Sequence, residues 1–86
     1  MSLSDSIRQR LAVLAPSHLD IHDDSAAHAG HAGAAEGSHF DVVIVSDAFA
    51  GKSRLQRQRM VYAALGDLMQ QGIHALAMRT YTPDEL

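Results

Sequence analysis

Apolar residues recur along this chain with two periods, and each switch of period marks a change of element. Ile7, Leu11 and Leu14 fall at i, i+4 and i+7, which predicts a helix from Ser4 to Ala15, with Ser4 as its cap and Pro16 as its stop. From His18 to His22 the period drops to two. Leu19 and Ile21 point one way, and His18, Asp20 and His22 the other, as in a half-buried strand. Phe40 to Val45 is nearly continuous in apolar character. Phe40, Val42 and Ile44 share one face and Val43 and Val45 the other, which predicts a central strand. After a turn at Gly51 the helical period returns from Arg54 to Gln71. Val61, Leu65 and Leu68 define its apolar face, Ala64 fills it and Leu55 extends it, and Gly66 can divide this stretch into two shorter helices. Gly72 is a natural C-terminal stop, His74 to Tyr81 alternates as a third strand, and Pro83 closes the domain.

This order predicts an α+β fold. The first two strands form an antiparallel pair joined by a long loop. The helical crossover to the third strand calls for a parallel pairing, so the sheet is three-stranded and mixed, with helices packed on one face.

Asp23 to Ser38 breaks the pattern. It reads DDSAAHAGHAGAAEGS, with no large apolar side chain to anchor it, and predicts a mobile loop rich in histidine. Composition then sets the limits. With 86 residues the chain, 1–86, is one domain. Of its 47% apolar residues many are alanine, so the core is small and the expected stability modest. No cysteine is present, which excludes disulfides, thiolate zinc sites and a cysteine nucleophile, so any metal must be held by His, Asp or Glu. No apolar run approaches the roughly 18 residues of a membrane span, and the N-terminal residues lack the pattern of a signal peptide. The expectation is a cytoplasmic protein without a membrane partner. The net charge of −3 argues weakly against nucleic acid, although net charge can hide a local patch.

Three stretches carry candidate chemistry. Ser46-Asp-Ala-Phe-Ala-Gly-Lys-Ser53 follows a strand and precedes a helix, as a phosphate-binding loop does. Ser46 stands where that motif needs glycine, so the segment reads as a turn with a cap from Ser53. Lys52, Arg54, Arg57 and Arg59 gather four of the seven basic residues within eight positions. They suit phosphates or an acidic protein surface, or else form a solvated helix start. Cations there oppose the helix dipole, a local conflict that favours binding. His22, His28, His31 and His39 surround the loop, and imidazole suits Zn, Fe, Ni or Cu. The residues alone leave open whether these are ligands or a solvated, titrating loop. His74, taken by itself, is a strand-end histidine. No acid–base pair or nucleophile arrangement suggests catalysis.

A set of short motifs now agrees with a known family. Asp24-Ser25-Ala-Ala-His28-Ala-Gly-His31, Ser38-His39-Phe40, Val45-Ser46-Asp47, Phe49-Ala-Gly51, Leu55-Gln-Arg57-Gln-Arg59-Met60-Val61-Tyr62, Ile73-His74-Ala75-Leu76 and Thr82-Pro83 occur in order, from about Leu11 to Glu85. The chain resembles the BolA-like proteins. The resemblance implies a class II KH-like αββααβ fold, and a single BolA-like domain whose histidine-rich loop is about 23–38. It implies no enzymatic activity and no small-molecule substrate. It implies instead an iron–sulfur adaptor that pairs with a monothiol glutaredoxin as a heterodimer and shares a [2Fe–2S] cluster, in cluster trafficking, maturation or iron regulation. The glutaredoxin side brings a cysteine and a glutathione thiolate, and this side brings histidine, as in other His-ligated clusters. The isolated chain is expected to bind no cofactor. By position His74 belongs to the family's His-Ala-Leu motif and is the implied ligand. His28 stands at the loop ligand position, with His31 as its alternative. One departure is that the family's Arg-His-Arg motif is here Arg57-Gln58-Arg59. The resemblance also carries an alternative: a KH-like transcription regulator, active in stress response, binding DNA through the basic helix. A KH domain clamps nucleic acid with a GXXG loop, and the only close glycine pair here, Gly30 and Gly33, lies in the histidine loop.

Overall fold

The computed structural model describes residues 2–23 and 38–86, with Ser38 and His74 described by their backbone alone. Helix α1 spans Leu3–Leu11, strand β1 His18–Asp23, strand β2 Ser38–Val45, helix α2 Arg54–Leu65 and strand β3 Ile73–Tyr81. Within the sheet β2 is central, antiparallel to β1 and parallel to β3. This is the α+β order expected, with a three-stranded mixed sheet.

α1 starts at Leu3, one residue before the Ser4 its periodicity suggests. Its cap is Ser2, not Ser4. The Ser2 hydroxyl accepts the Asp5 N–H at 3.1 Å, and the Asp5 carboxylate accepts the Ser2 N–H at 3.3 Å, a reciprocal capping box. The longer start lets Leu3 pack against the core one turn before the buried Ile7 and Leu11. After Leu11 the chain tightens into a 3₁₀ turn, Ala12–Leu14, and reverses at Ala15 with φ of +48° just ahead of Pro16.

β2 puts Phe40, Val42 and Ile44 on the covered face of the sheet. Leu19 and Ile21 of β1 stand opposite Ile44 and Val42, and Leu76 and Met78 of β3 opposite Phe40 and Val42. Ile7 and Leu11 from α1 and Val61 and Leu65 from α2 close over them, with Phe49, Leu68 and Ile73 completing the core. Both helices therefore lie on one face. Phe49 comes from the turn after β2, a 3₁₀ segment Asp47–Phe49 capped by the Ser46 hydroxyl, and it is fully buried. Periodicity does not reveal such a residue because it belongs to no regular element. Leu55 is the reverse case. Its place in the helical run suggests the core face of α2, but it is 55% exposed. It precedes Val61 by six residues, and six steps of roughly 100° carry it to a different side of the helix.

Gly66 does divide the long helical stretch. α2 stops there at a φ of +54°, and a 3₁₀ segment, Gly66–Gln70, follows. A Cβ at Gly66 would stand 3.3 Å from Arg10 Nη1, whose guanidinium donates to the Leu65 carbonyl and pairs with Asp67 at 3.0 Å. Glycine permits both the positive φ and this close approach.

Candidate functional site

Two regions hold the residues singled out from the sequence, and they lie at opposite ends of β3. At one end three strand termini meet. β1 finishes at Asp23, opposite Phe40, while β2 starts at Ser38 beside Ile73, the first residue of β3. The segment carrying His28 and His31 leaves and returns here. Both histidines lie outside the described residues. Of the stretch expected to be a loop, Asp23 and Ser38 belong to strands, and 24–37 lie outside the described residues.

The backbone at His74 is irregular. Ser38 pairs with Ile73, but the next residue, His39, pairs with Ala75. His74 is thus the extra residue of a bulge in a parallel ladder. Bulges interrupt pairing and re-aim the chain locally, and they occur often beside functional sites. The strand residues nearby are His22, opposite Asp41, and His39, opposite Ala75. Among the described residues no three potential metal ligands come together. The histidines on β1 and β2 therefore form no metal site by themselves.

The other end of β3 is a corner built around Arg57. Ser53 caps α2 by accepting the Gln56 N–H at 3.1 Å, and Gln56 Oε1 accepts the Ser53 N–H at 2.8 Å, so the helix begins where the sequence predicted. One turn on, Arg57 reaches back to β3 and to the C-terminal turn Pro83–Glu85. Its Nη1 and Nη2 donate to the two carboxylate oxygens of Glu85 at 2.7 and 2.9 Å. Nη1 also donates to the Thr80 carbonyl at 3.1 Å, and Nε to the Lys52 carbonyl at 3.0 Å. The guanidinium carbon stands 5.9 Å from the centre of the Phe49 ring. This is the planar, bidentate recognition for which arginine is suited and lysine is not. The Glu85 carboxyl is pulled down to about 2, first by the Arg57 hydrogen bonds and then by the Thr82 N–H. The Arg57 guanidinium is pushed above its ordinary value by the same partner.

Of the basic cluster, Lys52, Arg54 and Arg57 line one groove of about 560 Å³, together with Gln58, Glu85 and the β3 residues from Met78 to Tyr81. Arg59 is exposed on α2 and is not part of the groove. Arg79 and Glu85 were missed from the sequence. Their only signal would have been pairing with positions 38 and 28 residues away, Asp41 and Arg57. Six residues separate His74 from Thr80 along β3, so the histidine end and this corner are about 20 Å apart at ~3.3 Å per residue.

The helix–strand–strand–helix–strand order and the motifs at both ends of β3 define one class of protein. The family model for BolA-like protein matches residues 11–85, and the chain belongs to that family. It is 41% identical over 86 residues to the DNA-binding transcriptional regulator BolA of Escherichia coli K12, covering 99% of this chain and 80% of the relative. It is 44% identical over 88 residues to SufE-like protein 1, chloroplastic/mitochondrial, of Arabidopsis thaliana, covering 93% of this chain but only 24% of that relative. The solved BolA domain of SufE1 from Arabidopsis thaliana superimposes with a TM-score of 0.85 at 44% identity, covering 100% of this chain and 98% of the other. No helix among the described residues is long and apolar enough to cross a membrane.

Proposed function

We propose that the protein is a non-enzymatic iron–sulfur adaptor that pairs with a monothiol glutaredoxin. His74, with His28 or His31, contributes the histidine ligands to a shared [2Fe–2S] cluster. The observation that carries this reading is the sheet end where the bulge at His74 adjoins Asp23 and Ser38, the roots of the segment bearing the two loop histidines. The donor chemistry fits. A chain with no cysteine offers imidazole and carboxylate but no thiolate, so the thiolate ligands would come from a partner, here the glutaredoxin cysteine and glutathione. A ligand placed at a strand bulge keeps one side of the site anchored to the sheet. When bound, the cluster supplies a redox-active and transferable iron–sulfur unit. This chain's part is to hold a neutral imidazole at the sheet end.

The test is anaerobic cluster reconstitution followed by visible circular dichroism, with the glutaredoxin alone, the mixture, and mixtures containing His74→Ala or His28→Ala. The expected result is a spectrum unique to the mixture and lost in both variants, with His31→Ala added to separate the two loop positions. A mixture equal to the sum of its parts overturns the adaptor reading, and wild-type spectra from both variants overturn the ligand assignment.

A second reading, a DNA-binding regulator, is favoured by the basic groove and by the name of the Escherichia coli relative. It predicts salt-dependent DNA binding that Lys52, Arg54, Arg57 or Arg59 substitution weakens. Absence of binding at low salt removes it.

A further inference from the structure

The groove at the Arg57 corner runs along the free edge of β3. Among the described residues β3 pairs with β2 alone. The Tyr81 carbonyl accepts the Ser46 N–H at 2.9 Å, so Tyr81 turns its backbone toward β2. Successive strand residues alternate, and Thr80 accordingly turns outward, where its carbonyl accepts Arg57 Nη1 at 3.1 Å. The same alternation turns the N–H and C=O of Met78 and the N–H of Thr80 away from β2, into a groove that Met78, Arg79, Thr80 and Tyr81 line. The opposite wall carries Lys52, Arg54 and Arg57. Four of the chain's seven basic residues thus line one groove of a chain whose net charge is −3. The one carboxylate lining it, Glu85, is already bound on both oxygens by Arg57. Among the described residues neither Lys52 nor Arg54 forms an ion pair.

We propose that the β3 edge and this basic wall form a docking site for an extended acidic segment of a partner protein, which adds to the sheet as a fourth strand. The edge presents both a donor and an acceptor at Met78, with further groups spaced by two residues, and a peptide backbone answers both at that spacing. A phosphodiester backbone offers acceptors alone and leaves the Met78 carbonyl unanswered. A second copy of this chain would set Lys52 and Arg54, which form no ion pair among the described residues, against their own counterparts. Acidic side chains on the helix-covered face of the added strand would meet Lys52 and Arg54. This inference does not depend on the cluster reading, because the site lies at the far end of β3 from His74.

The probe is a fluorescently labelled eight-residue peptide of alternating Val and Glu, followed by anisotropy and by amide hydrogen exchange. Binding is expected at low salt, with slowed exchange at the Met78 and Thr80 amides. Methylating alternate backbone nitrogens of the peptide is expected to weaken binding about ten-fold, the effect of roughly two lost hydrogen bonds, and to abolish that protection. Replacing Glu by Lys in the peptide is expected to abolish binding. The exposed double variant Lys52→Glu/Arg54→Glu, checked for folding by circular dichroism, is expected to lose most of it. Equal binding of the methylated peptide overturns strand addition, because charge alone would then suffice. No binding of the parent peptide overturns the site, as does binding of oligothymidylate in its place. Protection of Met78 and Thr80 by self-association in the absence of peptide identifies a second copy as the occupant and likewise overturns the proposal.

Discussion

The two ends of β3 satisfy their backbones in different ways. At the Thr80 end the strand is tied down. Arg57 bonds an edge carbonyl, clamps the C-terminal turn through Glu85 and lies over the buried Phe49 ring. At the His74 end the ladder skips a residue, and two strand termini open into the segment that bears His28 and His31. The tied end uses arginine chemistry to hold the fold together. The other end leaves His74 outside regular pairing. Residue type alone does not separate these roles. Arg57 and Arg59 both belong to the basic run, yet only Arg57 is built into the corner.

The largest effect should come from removing the floor of the tied end. Phe49 is fully buried beneath Arg57, and Phe49→Ala is expected to lower unfolding free energy by roughly 3–5 kcal/mol in urea denaturation. Retention of wild-type stability would mean that the corner does not rest on this ring. Next comes Arg57 itself. Arg57→Ala should lower the thermal midpoint clearly, and Arg57→Lys should restore only part of the loss. A lysine cannot reproduce the fork on Glu85 together with the bonds to Thr80 and Lys52. Full rescue by lysine would reduce the corner to a simple charge contact.

Acid should loosen the same end selectively. The folded Glu85 carboxyl sits near 2, below its ordinary 4.5, so its contribution is complete above about 4.5 and is lost as pH falls toward 2. Nuclear magnetic resonance shifts of Thr82 and Glu85 should therefore titrate below pH 4.5, with an apparent midpoint near 2 that Arg57→Ala moves upward. A midpoint unchanged in the variant would break the assignment of cause. The smallest effect is expected at Arg59, two positions away and exposed. Arg59→Ala should change stability by less than about 0.5 kcal/mol, and a large loss there would erase the contrast between the two arginines.

Local pattern accounts for much of the fold. The i, i+4, i+7 sets starting at Ile7 and at Val61, the alternation in Leu19 and Ile21, the run from Phe40 to Val45 and the alternation from His74 to Tyr81 specify two helices and three strands, because each depends only on near neighbours and on the geometry of a regular element. The Ser53 cap is legible for the same reason: serine accepts a backbone N–H three residues on. The cap of α1 is Ser2 rather than Ser4 because the reciprocal bond with Asp5 and the packing of Leu3 favour the earlier start, and neither shows in the apolar spacing. Leu55 is apolar, but its six-residue spacing from Val61 already turns it away from the core face, so its character misleads where its spacing does not.

The candidate site divides in the same way. The sequence by itself determined which residues carry chemistry: six histidines, no cysteine, and a basic run at a helix start. Only the tertiary structure decided which of them meet. Parallel pairing of β3 with β2 sets His74 at the roots of the histidine segment and, at the other end of the strand, sets Arg79 and Glu85 beside Arg57. Contacts between residues 28 or more positions apart depend on strand register and on how the crossover helix returns to the sheet, and no local spacing records either.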